Sequence, residues 1–223
     1  MPAGGVTETA APFVPAAADL AGLRAAATGC RGCHLYEHAT QTVFGEGRRT
    51  ARVVLVGEQP GDQEDRAGRP FVGPAGKLLD KALADAGVDR ADAYVTNAVK
   101  HFKFAQSAPG KRRLHQKPDL GEMAACAPWL AAELALLRPD VVVTLGATAG
   151  QALFGKAFRV TQSRGVVLPW PPEAGPYAGI AADADTVALA TIHPSAVLRG
   201  DSRDELYAGL VADLTVAAHL LAG

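Results

Sequence analysis

Four side chains stand out for the chemistry their types and settings allow: Glu58, Asn97, His115 and His193. Glu58 lies in the loop Gly57-Glu58-Gln59-Pro60-Gly61-Asp62, where a carboxylate can stabilise a developing cation or accept a proton. His193 opens His193-Pro194-Ser195, and an imidazole N–H there can stabilise negative charge on a departing group. The Asn97 amide carries both a donor and an acceptor, the pair needed to read one polar edge of a ligand. His115 sits in Gly110-Lys111-Arg112-Arg113-Leu114-His115-Gln116-Lys117-Pro118, and a neutral imidazole is a capable nucleophile toward an electron-poor carbon. From Lys100 to Pro118 the chain carries Lys100, Lys103, Lys111, Arg112, Arg113 and Lys117 without an acidic residue, a local positive stretch suited to phosphates. Cys30-x-x-Cys33 and Cys126 are the only cysteines; their odd number, without an export signal, points to a metal site rather than a disulfide framework.

The elements that must position these groups alternate along the chain. Arg52 to Val56, Ala93 to Val99, Asp140 to Leu145 and Val187 to Ile192 read as strands, being short apolar runs rich in β-branched residues. Ala17 to Thr28, Gly76 to Ala86, Glu122 to Leu137, Ala147 to Leu153 and Asp204 to Leu221 read as helices. Strands buried on both faces and separated by helices imply an α/β, three-layer αβα sandwich with a mainly parallel central sheet. In such folds ligands bind beyond the carboxyl ends of the strands, so the loops bearing Glu58, Asn97 and His193 are expected to converge.

The chain of 223 residues, 48% apolar, is long enough for one substantial core, and a single domain is expected over residues 17–223. Residues 1–16, rich in Ala, Pro and Gly, are expected to form a disordered tail. No apolar run reads as long enough to cross a bilayer, and a soluble, cytoplasmic monomer is the expectation. A formal net charge of −1 gives nucleic acid no bulk attraction, so any such binding must be local.

These motifs, with Glu64-Asp65 and Gly68-Arg69-Pro70-Phe71-Val72-Gly73-Pro74-Ala75-Gly76, resemble the uracil-DNA glycosylase superfamily. The likeness is closest to the family 4 pattern of GE-x-PG, ED-x-x-G-x-PFVG-x-AG, a strand ending in TN, and a late HPS, and it runs from about Cys30 to the C-terminus. The resemblance implies excision of uracil from DNA: Asn97 reading N3–H and O4, Phe71 stacking on the flipped base, His193 stabilising charge on O2 and Glu58 stabilising the sugar cation. It places Gly57, Pro60, Gly61 and Asp62 against the substrate, and Lys100, Lys111, Arg112 and Arg113 against the DNA backbone. Single-stranded DNA is the expected preferred form, because its bases are cheaper to unstack.

Lys111-Arg112-Arg113-Leu114-His115 further resembles the KRR-x-H loop of the UdgX branch, whose members link that histidine covalently to the abasic sugar; Gln59 in the first motif is the branch's second mark. The expected catalytic set is therefore His115, Glu58, His193 and Gln59, the last holding the loop or a water. In family 4 the resemblance also implies a [4Fe–4S] cluster, on Cys30, Cys33, Cys126 and, where a further cysteine is usual, His101; His34 beside Cys33 competes for the fourth place. Three cysteines and a histidine also describe a structural zinc site, and the resemblance favours iron–sulfur. Two other readings stand beside covalent capture: a turning-over glycosylase in which water attacks, and a non-catalytic uracil- or single-strand-binding module.

Overall fold

The computed structural model describes residues 8–108 and 110–222. In chain order the elements are α1 (Leu20–Ala27), β1 (Val53–Gly57), α2 (Asp62–Ala67), α3 (Pro74–Asp85), β2 (Ala93–Asn97), β3 (Phe104–Ala105), β4 (Leu114–His115), α4 (Leu120–Leu137), β5 (Val141–Leu145), α5 (Ala147–Phe154), α6 (Val160–Ser163), β6 (Leu168–Pro169), β7 (Val187–Thr191), α7 (Pro194–Arg199) and α8 (Arg203–Ala222). The four strands read from the sequence form one parallel sheet in the order β2-β1-β5-β7, and β6 joins its edge antiparallel to β7.

Alternation along β1 shows how the sheet feeds two cores. Val53 and Leu55 pack with Leu79 and Leu83 of α3 and Leu210 and Leu214 of α8, whereas Val54 and Val56 pack with Leu130 and Leu134 of α4 and Leu153 of α5. Helices thus cover both faces, as an all-buried strand requires. The chain leaves β1 for β2 on one side and returns across it to β5 on the other, so the order reverses between β1 and β5. That reversal opens a crevice at their carboxyl ends.

Three expectations are corrected. The tail is shorter than residues 1–16: residues 1–7 lie outside the described residues, but Ala10 is buried, its N–H donates to Ala125 O at 2.7 Å, and Ala11–Phe13 form a 3-10 turn. Small residues let this segment lie flat on the cysteine loop and α4; a Cβ on Gly32 would collide with the Ala10 backbone. Second, α4 and α8 are long and apolar enough to cross a membrane by length and composition, contrary to the sequence expectation. Here α4 is a core helix that carries the buried carboxylates Glu122 and Glu133, and α8 packs against α3, α7 and the sheet. Third, the basic stretch contains a small antiparallel hairpin, with Phe104 opposite His115 and Ala105 opposite Leu114.

Candidate active site

A cavity of about 500 Å³ opens at the reversal point. The loop after β1 contributes Glu58 and Gln59, the end of β2 Asn97, the turn after β5 Gly146 to Thr148, and the start of α7 His193 and Ser195; Phe71 and His115 close the sides. Glu58, Asn97, Phe71, His115 and His193 are thus brought together around one space.

His193 caps α7: the Ser195 backbone N–H donates to its Nδ1 at 3.1 Å, and the Ser195 hydroxyl lies 2.7 Å away. An Nδ1 that accepts leaves the proton of the neutral ring on Nε2, as a donor to a ligand oxygen requires. Burial pushes the His193 pKa down to about 4; Glu58 opposes this, while the charges of Arg199 and His115 add to it. The ring is therefore neutral at neutral pH. Phe71 stacks beside it, with ring centroids 6.2 Å apart and planes at 26°. Phe71 holds φ at +55°, a left-handed conformation that a bulky residue keeps only when its surroundings enforce it. Glu64 does part of this, bridging the two loops by accepting from Gly73 N at 2.8 Å and Gly61 N at 3.1 Å.

Asn97 is 3% exposed and rests on Gly57, where a Cβ would collide with the Asn97 amide oxygen and the Phe71 ring. Among the described residues no protein group hydrogen-bonds the Asn97 side chain, so its donor and acceptor are available to a ligand. Its main-chain carbonyl, in contrast, is firmly held: Lys100 Nζ donates to Asn97 O at 2.8 Å, Thr96 Oγ1 at 2.7 Å and Glu133 Oε2 at 2.5 Å. Glu133 Oε1 also accepts from Tyr94 Oη at 2.8 Å, Gly45 N at 3.1 Å and Thr96 Oγ1 at 3.1 Å. Both members of this ion pair are fully buried. Lys100 is therefore not a DNA-backbone contact, as expected from its basic neighbours, but an internal clamp under the end of β2. The physical reason is Glu133, a partner 33 residues away.

Across the cavity, His115 Nε2 lies 3.1 Å from Glu58 Oε1, in contact but without alignment that closes a hydrogen bond. Burial raises the Glu58 pKa, but the adjoining His115 ring, the Thr148 hydroxyl and the more distant His193 together outweigh it, so the carboxyl is held below its usual range. Glu58 is thus an anion facing a half-exposed imidazole. The hairpin carrying His115 is stapled from below. Gln59 Nε2 donates to Lys103 O at 3.1 Å and Gln116 O at 2.9 Å, and its Oε1 accepts from Lys103 N at 2.9 Å. With both amide hydrogens and its oxygen committed to backbone, Gln59 holds the loop, one of the two roles expected of it, and is a positioning residue rather than a catalytic one. Arg113 fastens the hairpin too: it is ion-paired to Asp62 and, at 2.6 Å, to the buried Asp65, and lies over the Phe102 and Phe104 rings. Its side chain is 8% exposed, so it is not free to hold phosphate, and Asp62 is occupied by Arg113 and Arg66 rather than by substrate. Lys111 and Arg112 are exposed at the rim, whereas Pro60 is buried behind the loop.

Cys30, Cys33 and Cys126 share one apolar cluster with Trp129 and Phe44, and all three are buried. Trp129 Nε1 donates to Cys30 Sγ and the Lys100 backbone N–H to Cys126 Sγ, each at 3.2 Å. Burial pushes the Cys33 thiol up to about 11 and Cys126 up to about 12. Three neighbouring buried sulfurs supplied with N–H donors fit thiolate ligation of a metal group. Among the described residues, however, no three His, Cys, Asp or Glu side chains converge on a common metal position. His101 Nε2 pairs with the Thr42 hydroxyl at 2.9 Å, and half-exposed His34 faces Glu122 at 3.2 Å and Glu8 at 3.5 Å. Glu122 also takes Lys103 Nζ at 2.8 Å, joining the cysteine segment to the hairpin base.

Sequence reading missed Thr148, Ser195 and Arg199 as cavity-lining groups. The first had a usable signal: Gly146-Ala147-Thr148 directly follows a strand end, as the loops already singled out do.

An open parallel sheet whose strand-end loops gather an anionic carboxylate, a neutral imidazole donor, an unengaged amide and a stacking ring defines a base-excising α/β enzyme. The chain belongs to the Uracil DNA glycosylase superfamily, whose family model matches residues 44–215. It is 38% identical over 176 residues to the type-4 uracil-DNA glycosylase of Thermotoga maritima, covering 78% of this chain and 81% of that protein. The type-4 uracil-DNA glycosylase of Pyrobaculum aerophilum is 36% identical, with 81% and 85% covered. The type-5 uracil-DNA glycosylase of the same organism is 36% identical over 48% of this chain and 50% of that protein.

Proposed function

We propose that this protein excises uracil from DNA and then becomes covalently linked to the abasic sugar through His115. The observation that carries the reading is His115 Nε2 at 3.1 Å from Glu58 Oε1, across a cavity that also presents Asn97, Phe71 and His193. Uracil enters against Phe71, and the Asn97 amide pairs with N3–H and O4, a match that cytosine lacks. The bond between C1′ and N1 breaks with its electrons passing to the base, and His193 Nε2–H stabilises the charge on O2. The Glu58 carboxylate stabilises the resulting sugar cation. A ring nitrogen of neutral His115 then donates its lone pair to C1′, and the imidazole proton leaves through Glu58, so the departed uracil anion and the released proton balance. The product is a neutral N-alkyl imidazole, a poor leaving group, so the linkage persists.

The reading includes single-stranded DNA as the preferred form, with Lys111 and Arg112 at the backbone. It also includes a metal group held by Cys30, Cys33 and Cys126, with His101 completing the set. A [4Fe–4S] cluster suits the sulfur-rich donors, and zinc is the alternative. Bound there, the group would act structurally, tying the N-terminal segment to α4.

Denaturing electrophoresis after mixing with a uracil-containing oligonucleotide tests the reading. A heat- and detergent-resistant band is expected from the wild type, with His115→Ala losing it. His115→Ser is expected to open a place for water beside Glu58 and release uracil with turnover. Turnover by the wild type without a stable band would instead assign the attack to water. Binding without uracil release would leave a non-catalytic module.

A further inference from the structure

The buried ring of His101 has one hydrogen-bonding partner among the described residues: its Nε2 lies 2.9 Å from the Thr42 hydroxyl. Which of the two atoms carries the shared proton is settled by a third. Thr42 Oγ1 also lies 2.8 Å from Ala27 O, and a carbonyl oxygen can only accept, so the single hydroxyl proton is spent there. The Thr42 oxygen therefore accepts from His101, and Nε2 carries the ring N–H. In the neutral ring that a metal requires, Nδ1 is then left with a bare lone pair, and no described residue donates to it.

The same contacts place the ring between the cysteines. The Lys100 N–H, one residue before His101, donates to Cys126 Sγ at 3.2 Å. Ala27 O, on the far side of Thr42, also accepts from Cys30 N at 3.0 Å, in the turn that leads to Cys33. His101 is thus tied through its backbone neighbour to one candidate ligand and through Thr42 to the segment bearing the other two. His34 differs: its Nδ1 lies 3.5 Å from Glu8 and its Nε2 3.2 Å from Glu122, so each nitrogen faces a carboxylate rather than the sulfurs.

We propose that Thr42 locks His101 in the Nε2–H tautomer and thereby makes Nδ1 the atom that completes the site of Cys30, Cys33 and Cys126. The proposal rests on the metal-group reading given above. It makes Thr42, which the sequence did not single out, a positioning residue, since a ligating histidine holds its second nitrogen against an acceptor that sets the tautomer and the plane of the ring. Without that hydroxyl a ligated ring would keep its N–H buried and unpaired.

The test compares wild type, Thr42→Val, Thr42→Ser, His101→Cys and the double variant Thr42→Val/His101→Cys. Iron, inorganic sulfide and zinc are measured per chain as purified, and metal loss into excess EDTA is followed by elemental analysis of desalted samples. Thr42→Val is expected to lose metal about ten- to a hundredfold faster than the wild type, and Thr42→Ser, which keeps the hydroxyl, within about threefold of it. A thiolate has no tautomer to set, so in the His101→Cys background Thr42→Val is expected to change the rate less than about twofold. A Thr42→Val protein too labile to retain metal, with the double variant loaded, would be the same result. No acceleration in Thr42→Val, or equal acceleration in both backgrounds, would overturn the proposal by reducing Thr42 to a support of the local fold. For an iron–sulfur group, pulsed EPR of the dithionite-reduced protein containing histidine with nitrogen-15 at one ring position is expected to show strong coupling to Nδ1. Coupling to Nε2 would overturn it too, and for zinc the EDTA series decides alone. A wild type without stoichiometric metal would strike the metal reading itself and the proposal with it, whereas a loaded wild type matched by Thr42→Val strikes the tautomer lock alone.

Discussion

Lys100→Met provides a sharp perturbation, because it removes a charge without removing volume. In the native protein Lys100 and Glu133 are both 0% exposed and 2.5 Å apart. The substitution strips the Glu133 carboxylate of the one cationic partner it has among the described residues and the Asn97 carbonyl of its donor, leaving Tyr94, Thr96 and Gly45 N to solvate a buried anion. Breaking one side of a buried pair costs about 3–5 kcal/mol, because the surviving charge is left desolvated. For a chain of this size each kcal/mol moves the midpoint by about 2–4 °C, so thermal unfolding should occur about 6–20 °C lower than in the wild type. Circular dichroism melting of wild type, Lys100→Met and Lys103→Met would measure this. In Lys103→Met the surviving carboxylate, Glu122, keeps the Asp119 N–H at 2.7 Å and the half-exposed His34 ring at 3.2 Å, and the lost cation was already partly solvated, so that change should cost less. A Lys100→Met midpoint within about 2 °C of the wild type would refute the argument that this pair clamps the end of β2.

Three further outcomes follow from the geometry. Arg113→Met leaves Asp65 buried without its cation and unfastens the hairpin, so the yield of the His115 adduct should fall about a hundredfold, as for a displaced reacting group, while uracil release falls less; equal losses would refute a positioning role. His193 is held near 4 when folded against about 6.5 when unfolded, so the unfolded chain binds its proton first; stability should be fully present above about pH 6.5 and decline toward pH 4. In His193→Asn, urea unfolding at pH 7 and 5 should lose part of that decline, and an unchanged slope would refute the assignment. Cys126→Ser should reduce soluble yield and remove any bound metal measured by elemental analysis, since binding energy there is folding energy; a soluble variant with unchanged metal content would exclude Cys126 as a ligand.

What the sequence made legible follows from the range of the forces involved. Val53–Gly57 and Val141–Leu145 are recognisable because each strand is buried on both faces, which demands a continuous apolar run whatever the partner. Glu58, Asn97 and His193 could be assigned to one end of the sheet because parallel strands put all their following loops there. The hairpin was not legible: its paired segments are two residues each, and its form comes from Gln59 and Arg113 binding groups about 40 to 60 residues distant in sequence. Lys100 illustrates the same limit more sharply. Local composition makes it one of six cations in a surface loop, and only the approach of α4 to β2 reveals it as an internal ion-pair partner. Helix α2 escaped notice because its start is set by Glu64 folding back on Gly61 N, within a segment whose glycines and prolines suggest only loop.

The division between frame and hairpin bears on how one fold can either turn over or capture its product. Glu58, Asn97 and His193 lie at, or within two residues of, strand ends in the parallel sheet, so the groups proposed to select and release a base are fixed by the core itself. His115 is not: it is delivered by a two-residue strand outside the main sheet, whose position depends on three hydrogen bonds from Gln59 and the ion pairs of Arg113. Base release should therefore survive hairpin changes that abolish capture, because the cation at C1′ forms whether imidazole or water waits beside Glu58. On the capture reading proposed above, what separates the two outcomes is whether the His115 ring or a water stands in contact with Glu58, and Gln59 and Arg113 would bear on that by holding the hairpin in place.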